Sequence, residues 1–396
     1  MGDRDIFEEM KNELEKILDF WLTKCVDKKK GGFIGRMDHE GNIHEDAVKG
    51  VVLNARILWT FSSAFLGEPR IEYLQAAERA YNYLKEYFLD KQYGGYYWAV
   101  SADGHPVEDR KQVYGQAFVL YGMSVYYQVV QQTEVLDDCV KIFDLIEGYS
   151  FDQNRNGYVE AFSREWGALQ DLRLSEKDDN GSKTMNTHLH VMEAYTALYK
   201  VHKDEMLRQQ LSNLIDLFVD KFYEPVTGHN RLFFDDQWNS RSKLVSYGHD
   251  IEASWLIWDA AQIVGNNNDR VKEVCLHMAQ SSLFGVDQDG GMWYEYDASV
   301  PFLNREKHWW PQAEAMVGFY NAFGISGDLQ YLEKSKGAWN YIKSQLIDEH
   351  SGEWLWGRDE NGQPLKEDLA GFWKCPYHNG RAMMEMNKRG VMELGS

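Results

Sequence analysis

Proline and cysteine are both scarce in this chain. There are 7 prolines in 396 residues, and no Pro-rich, Ser-rich or charge-rich stretch divides the sequence as a linker would. The 4 cysteines are scattered without a CxxC pair, which fits free thiols in a reducing cytosol. No apolar stretch approaches the roughly 18 residues of a membrane-spanning helix, and no apolar signal region follows the first residues. We therefore expect a cytoplasmic protein that is not held in a membrane.

Basic residues are also few relative to acidic ones. Lys and Arg number 42 against 62 Asp and Glu, so the formal net charge is −20. Apart from Lys28–Lys30, no cluster of basic residues offsets this charge locally. Such a chain is repelled by phosphate backbones and by anionic membrane surfaces. We therefore expect neither nucleic acid nor a membrane as its partner.

A short motif, usually Gly-Gly followed by an aromatic residue, recurs six times. Its second glycine stands at Gly32, Gly95, Gly157, Gly228, Gly291 and Gly352. The copies are about 61 to 71 residues apart, and a period of this size marks repeated supersecondary units that bury a core only against one another. Because each unit needs a neighbour on both sides, six units predict a closed ring. The missing linkers predict one catalytic domain over residues 1–396.

Each copy contains two helical segments with the glycine turn between them. In the helix before the fourth turn, Leu207, Leu211, Leu214 and Phe218 form one apolar face, which predicts a half-exposed outer helix. The other outer segments are predicted at about 5–26, 70–90, 133–149, 268–284 and 329–347. Inner segments, more apolar all round, are predicted to begin near Lys49, Lys111, Lys183, Tyr247, His308 and Pro376. The fold predicted is therefore all-α, an (α/α)6 barrel, with short β-ribbons such as Tyr96–Trp98 and Phe233–Phe234 over one mouth.

The first two turns of the six inner helices must converge on one end of such a barrel. They carry Arg56, Tyr114, Gln116, Asn186, His188, His190, His249, Glu252, Trp255, Trp309, Trp310, Glu314, His378 and Arg381. The N-termini of these helices direct partial positive charge into a shared cavity, where it would stabilise a developing oxyanion. The 14 Trp and 23 Tyr residues suit either helical packing or a carbohydrate cleft, since sugar faces stack on aromatic rings.

Histidines at matching depth in three repeats are the candidates for proton transfer. Two facing imidazoles, from among His190, His249 and His378, could serve opposite faces of a substrate near neutral pH. Each of them taken singly could instead be a hydrogen-bonded core residue. Glu252 lies three residues after His249, so we expect its carboxylate to hold that imidazole and raise its basicity.

Metal catalysis and glycoside hydrolysis are the alternatives at this site. A metal needs three or more convergent ligands, and His188 and His190 point to different faces of their helix. A glycosidase needs two convergent carboxylic acids, for which Glu252 and Glu314 are candidates. Both lie beside the His or Trp residues, which favours a supporting role, and Glu314 could also pair with an arginine. We expect no metal and no cofactor.

Five motifs stand out at these segments: KGVVLNARILW (Lys49 to Trp59), KTMNTHLHVMEAY (Lys183 to Tyr195), SYGHDIEASW (Ser246 to Trp255), HWWPQAEAMVGF (His308 to Phe319) and WKCPYHNGR (Trp373 to Arg381). In these motifs, and from end to end, the chain closely resembles the N-acylglucosamine 2-epimerase superfamily and, within it, the cellobiose 2-epimerase branch. The resemblance implies that His249 and His378 are the acid/base pair, assisted by His190. The implied substrate contacts are Arg56, Asn186, Trp310 and Trp373, to which we add Tyr114 and Trp309. Glu252 and Glu314 would orient the histidines, together with Trp255.

The resemblance implies epimerisation at C2 of the reducing-end glucose of a β-1,4-linked disaccharide such as cellobiose or lactose, through a cis-enediolate. A mannose or related aldose–ketose isomerase, or an N-acylglucosamine 2-epimerase, would use the same histidines on another sugar. A glycoside hydrolase and a non-catalytic sugar-binding barrel are the more distant alternatives. Because one chain holds every predicted site residue, we expect a monomer.

Overall fold

A computed structural model describes residues 3–394, with side chains from residue 6 to residue 390. Within this range there are twelve α-helices: α1 Asp3–Thr23, α2 Val51–Gly67, α3 Ile71–Tyr83, α4 Val113–Val130, α5 Thr133–Leu145, α6 Met185–Val201, α7 Glu205–Leu217, α8 Tyr247–Val264, α9 Asp269–Ser282, α10 Trp309–Ser326, α11 Leu329–Tyr341 and α12 His378–Leu394. The even-numbered helices pack each against the next, and α12 packs on α2, so the inner ring is closed. The odd-numbered helices pack outside it. The predicted (α/α)6 barrel is confirmed.

The two rings differ in burial as their sequences predict. On α7 the apolar face of Leu207, Leu211 and Leu214 is buried and the opposite face is exposed. On α8 every residue from Tyr247 to Ile257 is buried except the half-buried His249. The N-terminal half of this inner helix is thus enclosed by its neighbours, and His249 is the one residue of it that remains partly accessible.

Two glycines allow the inner helices to approach one another closely. A Cβ on Gly122 of α4 would lie 2.7 Å from the carbonyl oxygen of Ala55 on α2. A Cβ on Gly318 of α10 would lie 2.8 Å from the carbonyl oxygen of Ile251 on α8. Both distances are below van der Waals contact, so these crossings require glycine.

A buried ion pair joins most glycine turns to the inner helix that follows. The Asp90 carboxylate accepts a hydrogen bond from the Gln92 amide in its turn and another from Lys111 Nζ, both at 3.0 Å. Equivalent pairs join Lys49 to Asp27, Lys183 to Asp152, Lys307 to Asp287 and Lys374 to Glu353. The lysines at the start of these inner segments are therefore structural residues that fix the turn on the helix.

Short antiparallel strands surround one mouth of the barrel. They are β1 Lys49–Gly50, β2 Ala99–Val100, β3 Pro106–Glu108, β4 Lys111–Gln112, β5 Ala161–Phe162, β6 Lys183–Thr184, β7 Phe233–Phe234, β8 Leu244–Ser246, β9 Glu295–Asp297, β10 Phe302–Asn304, β11 Lys307–His308 and β12 Gly357–Arg358. The sheet orders are β1-β2-β3, β4-β5, β6-β7, β10-β9-β8 and β11-β12. Each sheet links the start of an inner helix to the loop of the next repeat, which ties adjacent hairpins together. The ribbon predicted at Phe233–Phe234 is confirmed, whereas that at Tyr96–Trp98 begins later, at Ala99.

None of the helices in the described range is long and apolar enough to cross a membrane.

Candidate active site

The inner helices share one register, and this register assembles the site. Seven residues after the lysine that begins an inner segment, each helix contributes one side chain to a central layer. Val245 takes the place of this lysine before α8. The six residues of the central layer are Arg56, Phe118, His190, Glu252, Glu314 and Arg381. All are buried, and their contacts run from helix to helix: Arg56 lies 4.2 Å from the Phe118 ring, which lies 4.6 Å from His190.

His249 and His378 lie one turn above this layer, so His190, predicted at the same depth, lies one turn below them. Both rings contact the indole of Trp310 on α10, the helix that packs between α8 and α12. The ring of His249 is 4.7 Å from that of Trp310, and the ring of His378 is 5.6 Å from it. In each imidazole Nδ1 is engaged, by Ser246 Oγ at 2.9 Å and by Glu314 Oε1 at 2.7 Å respectively. Among the described residues neither Nε2 has a hydrogen-bond partner, so both nitrogens are available to a ligand.

The residue that holds His249 differs from the prediction. We expected the Glu252 carboxylate, but Ser246 Oγ contacts the imidazole and Glu252 accepts a hydrogen bond from Arg381 at 2.5 Å. Helical side chains lean towards the N-terminus, so His249 reaches back to the residue before the helix and away from Glu252. The full charge of Arg381 provides Glu252 with a stronger partner than a neutral imidazole would.

Glu314 is the carboxylate that connects the histidine to the charged layer. Its Oε1 contacts His378 Nδ1 and accepts a hydrogen bond from Arg381 at 2.7 Å, and its Oε2 accepts one from Trp255 Nε1 at 3.1 Å. The structure therefore combines both functions considered for this residue, orientation of a histidine and pairing with an arginine. Trp255, predicted beside the histidines, contacts Glu314.

Glu193 and Tyr377 belong to the site although the sequence did not single them out. Glu193 Oε2 contacts His190 Nδ1 at 2.9 Å and accepts a hydrogen bond from the Tyr377 hydroxyl at 2.6 Å, and the carboxylate pairs with Arg381. Burial opposes ionisation of Glu193, but the charge of Arg381 and these donors lower its pKa to about 2. The spacing of His190 and Glu193, three residues apart on one helix, was the signal that could have identified it.

Arg56 and Tyr114 form the polar part of another wall. Arg56 Nη2 donates a hydrogen bond to the Tyr114 hydroxyl at 2.8 Å, and its guanidinium lies 4.6 Å from the ring of Tyr377. Its Nε has no hydrogen-bond partner among the described residues. The Tyr114 ring contacts His190 at 5.1 Å and Trp373 at 6.1 Å. The structure thus brings four predicted residues together here.

The two remaining predicted substrate contacts, Asn186 and Trp309, differ in their surroundings. Asn186 occupies the same register position as Tyr114 and Trp310, and its buried Oδ1 lacks a partner among the described residues. Trp309, by contrast, packs on Trp356 at 4.5 Å and under the Lys374 ammonium at 5.2 Å. Consecutive residues of a helix point about 100° apart, so Trp309 and Trp310 cannot both face the cavity.

His188 and Gln116 have structural functions. His188 Nε2 accepts a hydrogen bond from the Tyr158 amide at 2.8 Å, directly after the third glycine turn. Gln116 Oε1 accepts the equivalent hydrogen bond from the Tyr96 amide at 2.8 Å. The same register position, five residues after the lysine, therefore fastens glycine turns to inner helices and contributes nothing to the cavity.

Burial keeps the two histidines at the indole neutral. It lowers the pKa of His249 to about 3, and it holds the pKa of His378 well below its usual value, with the charges of Arg56 and Arg381 acting in the same direction. A neutral imidazole has a basic ring nitrogen, so each residue is ready to accept a proton. The orienting contacts on Nδ1 direct that basicity to Nε2.

A metal-like donor set is also present within the site. Glu252, Glu314 and His378 place one ligand atom each within 4.8 Å of one another. Arg381 Nη2 donates hydrogen bonds to both carboxylates, at 2.5 and 2.7 Å. The guanidinium of Arg381 therefore already binds both carboxyl groups, which accounts for their proximity.

Comparison with known proteins gives consistent results over nearly the whole chain. The family profile described as N-acylglucosamine 2-epimerase (GlcNAc 2-epimerase) matches residues 32–382. A protein of Bacteroides fragilis named cellobiose 2-epimerase is 44% identical over 388 residues, which cover 97% of this chain and 99% of that protein. One of Dictyoglomus turgidum with the same name is 38% identical, covering 97% of this chain and 98% of its own length. The solved structure of a cellobiose 2-epimerase from Bacillus thermoamylovorans is 42% identical and superimposes with a TM-score of 0.94, covering 98% of this chain and 100% of the other.

Proposed function

Because the chain belongs to the N-acylglucosamine 2-epimerase family, we propose that it is a cellobiose 2-epimerase, an isomerase that interconverts glucose and mannose at the reducing end of β-1,4-linked disaccharides. Cellobiose would give glucosyl-mannose, and lactose would give epilactose. The full-length similarity to proteins of that name supports the substrate class. We further propose that the enzyme works as a monomer, since the site draws its residues from a single chain.

The observation that carries the proposal is the pair of imidazoles that contact Trp310 from the two neighbouring helices. His249 and His378 come from different helices, each is held at Nδ1, and each has an Nε2 without a hydrogen-bond partner among the described residues. Epimerisation at C2 removes a proton from one face of the carbon and returns one to the other. Two separate bases across one cavity are the arrangement that this chemistry needs.

The reaction begins when the reducing-end sugar opens to its aldehyde, which makes the C2 proton acidic. One histidine takes that proton at Nε2 and leaves a cis-enediolate. Rotation about the C2–C3 bond presents the other face of C2, to which the second histidine delivers a proton. The donors on the opposite wall, Arg56 and Tyr114, are suited to bind the negative oxygen that develops meanwhile.

Proton NMR of cellobiose incubated with the enzyme in D₂O, after EDTA treatment, tests this proposal. Glucosyl-mannose carrying deuterium at C2 is the expected product. Fructose at the reducing end would instead indicate an aldose–ketose isomerase, and free glucose would indicate a hydrolase. An unchanged spectrum with both cellobiose and lactose would refute the assignment to this substrate class.

Variants of the two histidines test the assignment of the bases. His249→Ala and His378→Ala should each lower the rate by about 10² to 10⁴-fold, which is the usual contribution of general acid–base catalysis. The exposed His105 provides the matched control, and His105→Ala should retain the wild-type rate. A folded variant that keeps more than about a tenth of the wild-type rate would remove that histidine from the pair.

A further inference from the structure

The charges buried beneath the two histidines do not balance if all of them are ionised. Arg56 and Arg381 contribute two positive charges, whereas Glu193, Glu252 and Glu314 would contribute three negative ones. Leaving one uncompensated charge in the interior is costly, and a buried group usually takes up or releases a proton instead. One further proton therefore belongs to this cluster.

The hydrogen bonds identify which carboxyl holds that proton. Glu193 receives Tyr377 and Arg381 as donors and contacts His190 Nδ1, and Glu314 contacts Arg381, Trp255 and His378 Nδ1. Glu252 accepts one hydrogen bond, from Arg381, and its second oxygen makes none within the described part of the chain. A carboxylate is stabilised by the donors that surround it, so the acid with a single donor is the one that ionises last.

The proposed reaction also requires a proton beyond those of two neutral imidazoles. One histidine accepts the C2 proton, while the other must already carry a proton to return. His378 gives Nδ1–H to an anionic partner, Glu314, so its Nε2 holds a proton only when the ring is an imidazolium. The Glu252 carboxyl lies within 4.8 Å of a His378 ring nitrogen, a separation that one bridging water can span for proton transfer.

We propose that Glu252 is a neutral carboxylic acid in the resting enzyme and serves as the proton reservoir of the acid–base pair. When the proton moves from the Glu252 carboxyl to the His378 imidazole, Glu252 becomes a carboxylate and His378 an imidazolium, so the total charge of the cluster and His378 together is unchanged. Delivery of the proton to C2 leaves His378 neutral, and the proton that His249 took from the substrate restores Glu252. The function of Glu252 as a proton reservoir rests on the proposed epimerase function, whereas its protonation state does not.

Charged and titratable groups face Glu252 from several helices. They are Tyr114 on α4, Glu193 on α6, Glu314 on α10, Arg381 on α12 and Tyr377 just before it. Burial and the neighbouring Glu314 charge raise the pKa of Glu252 to about 8, and Arg381 acts against them. Burial raises the pKa of Glu314 as well, but its additional donors favour the charged form. The arrangement therefore agrees with a proton on Glu252 at neutral pH.

Infrared difference spectroscopy of the intact protein tests the protonation state without reference to any substrate. Burial also raises the pKa of Glu160 to about 8, so the test is the wild-type spectrum minus that of Glu252→Gln. This difference at pH 7 should contain the carbonyl stretch of a protonated, buried carboxylic acid, which shifts in D₂O and disappears as the pH is raised to about 10. No such band in the difference would overturn the proposal. If Glu252→Gln does not fold, Glu252→Asp should shift the frequency of this band while the Glu160 band stays, and an unshifted spectrum would overturn the proposal.

The pH profile of epimerisation tests the reservoir function. A rate that needs protonated Glu252 is fully present below the pKa of that group and is lost as the pH rises through it. This alkaline limb should vanish in Glu252→Gln, whose amide cannot ionise, although the rate itself will be reduced. It should persist in Glu147→Gln, the matched control, because this half-buried carboxyl accepts hydrogen bonds from Tyr158 and Tyr195 and contacts no member of the cluster. An alkaline limb unchanged in Glu252→Gln would overturn the reservoir function. If no sugar is epimerised at all, the proposed function fails while the infrared result still stands.

Discussion

The two histidines are held by chemically different partners, and this difference predicts unequal effects when each partner is removed. Ser246 offers His249 a neutral hydroxyl, which both donates and accepts a hydrogen bond. Glu314 offers His378 a carboxylate that also contacts Arg381. We expect Ser246→Ala to weaken catalysis slightly and Glu314→Gln to weaken it strongly.

The magnitudes follow from the two kinds of hydrogen bond. A neutral hydrogen bond contributes about 0.5–1.5 kcal/mol, and one to a charged group about 1.5–3 kcal/mol. At about 1.36 kcal/mol for each tenfold change in rate, Ser246→Ala should lower kcat by about 2- to 10-fold. By the same conversion Glu314→Gln should lower it by about 10- to 150-fold. The Gln amide also turns a donor towards Arg381 or Trp255, which adds to the loss and destabilises the fold.

Initial rates of cellobiose epimerisation, measured by NMR or chromatography over a range of substrate concentrations, check this prediction. The change should appear in kcat more than in KM, because both residues act through a histidine and neither has to bind the sugar. Circular dichroism and the activity of His105→Ala serve as controls for folding and handling. Equal losses in Ser246→Ala and Glu314→Gln would refute the reasoning, because the kind of acceptor would then not matter.

Three further predictions concern stability and can be checked by urea denaturation. Gly157→Ala should cost about 2–5 kcal/mol, because its φ is +85° and the new Cβ would lie 2.5 Å from the Trp238 ring; unchanged stability would contradict the strained geometry. Lys374→Met should cost about 3–5 kcal/mol by leaving the buried Glu353 carboxylate without its cationic partner, whereas Lys29→Met, at an exposed ion pair, should change stability by no more than about 1 kcal/mol; equal effects would refute this. Burial lowers the pKa of His188 to about 3 in the folded protein, so between about pH 7 and pH 4 the unfolded chain binds one more proton than the folded one. The free energy of unfolding should therefore fall as the pH drops through this range, and it should fall less steeply in His188→Gln. An identical slope in both proteins would contradict this prediction.

The architecture could be predicted from the sequence because its determinants are local and repeated. The glycine turns recur with a near-constant period, and the apolar face of α7 can be read from residues within one helix. The six copies then imply the ring, and the positions of His190, His249 and His378 in the first two turns of their inner helices imply that they share one end of it, although His190 lies one turn deeper than the other two. Each of these inferences needs only the helical period and the assumption that equivalent segments occupy equivalent positions.

The partners of these side chains were decided by the tertiary structure alone. Sequence proximity suggested that Glu252 holds His249, yet Arg381 from another helix binds Glu252 and Ser246 holds the imidazole. Glu193, which contacts His190 and Arg381, did not stand out in the sequence at all.

The physical reason lies in the geometry of a closed barrel. The side chains that meet at its axis belong to helices 60 or more residues apart in the chain. Each ion pair therefore depends on which neighbouring helix places a charged side chain in the same layer of the barrel. The repeat thus determines that a polar layer forms, whereas the identity of each contact, and with it the distribution of protons, arises only when the six inner helices are packed together.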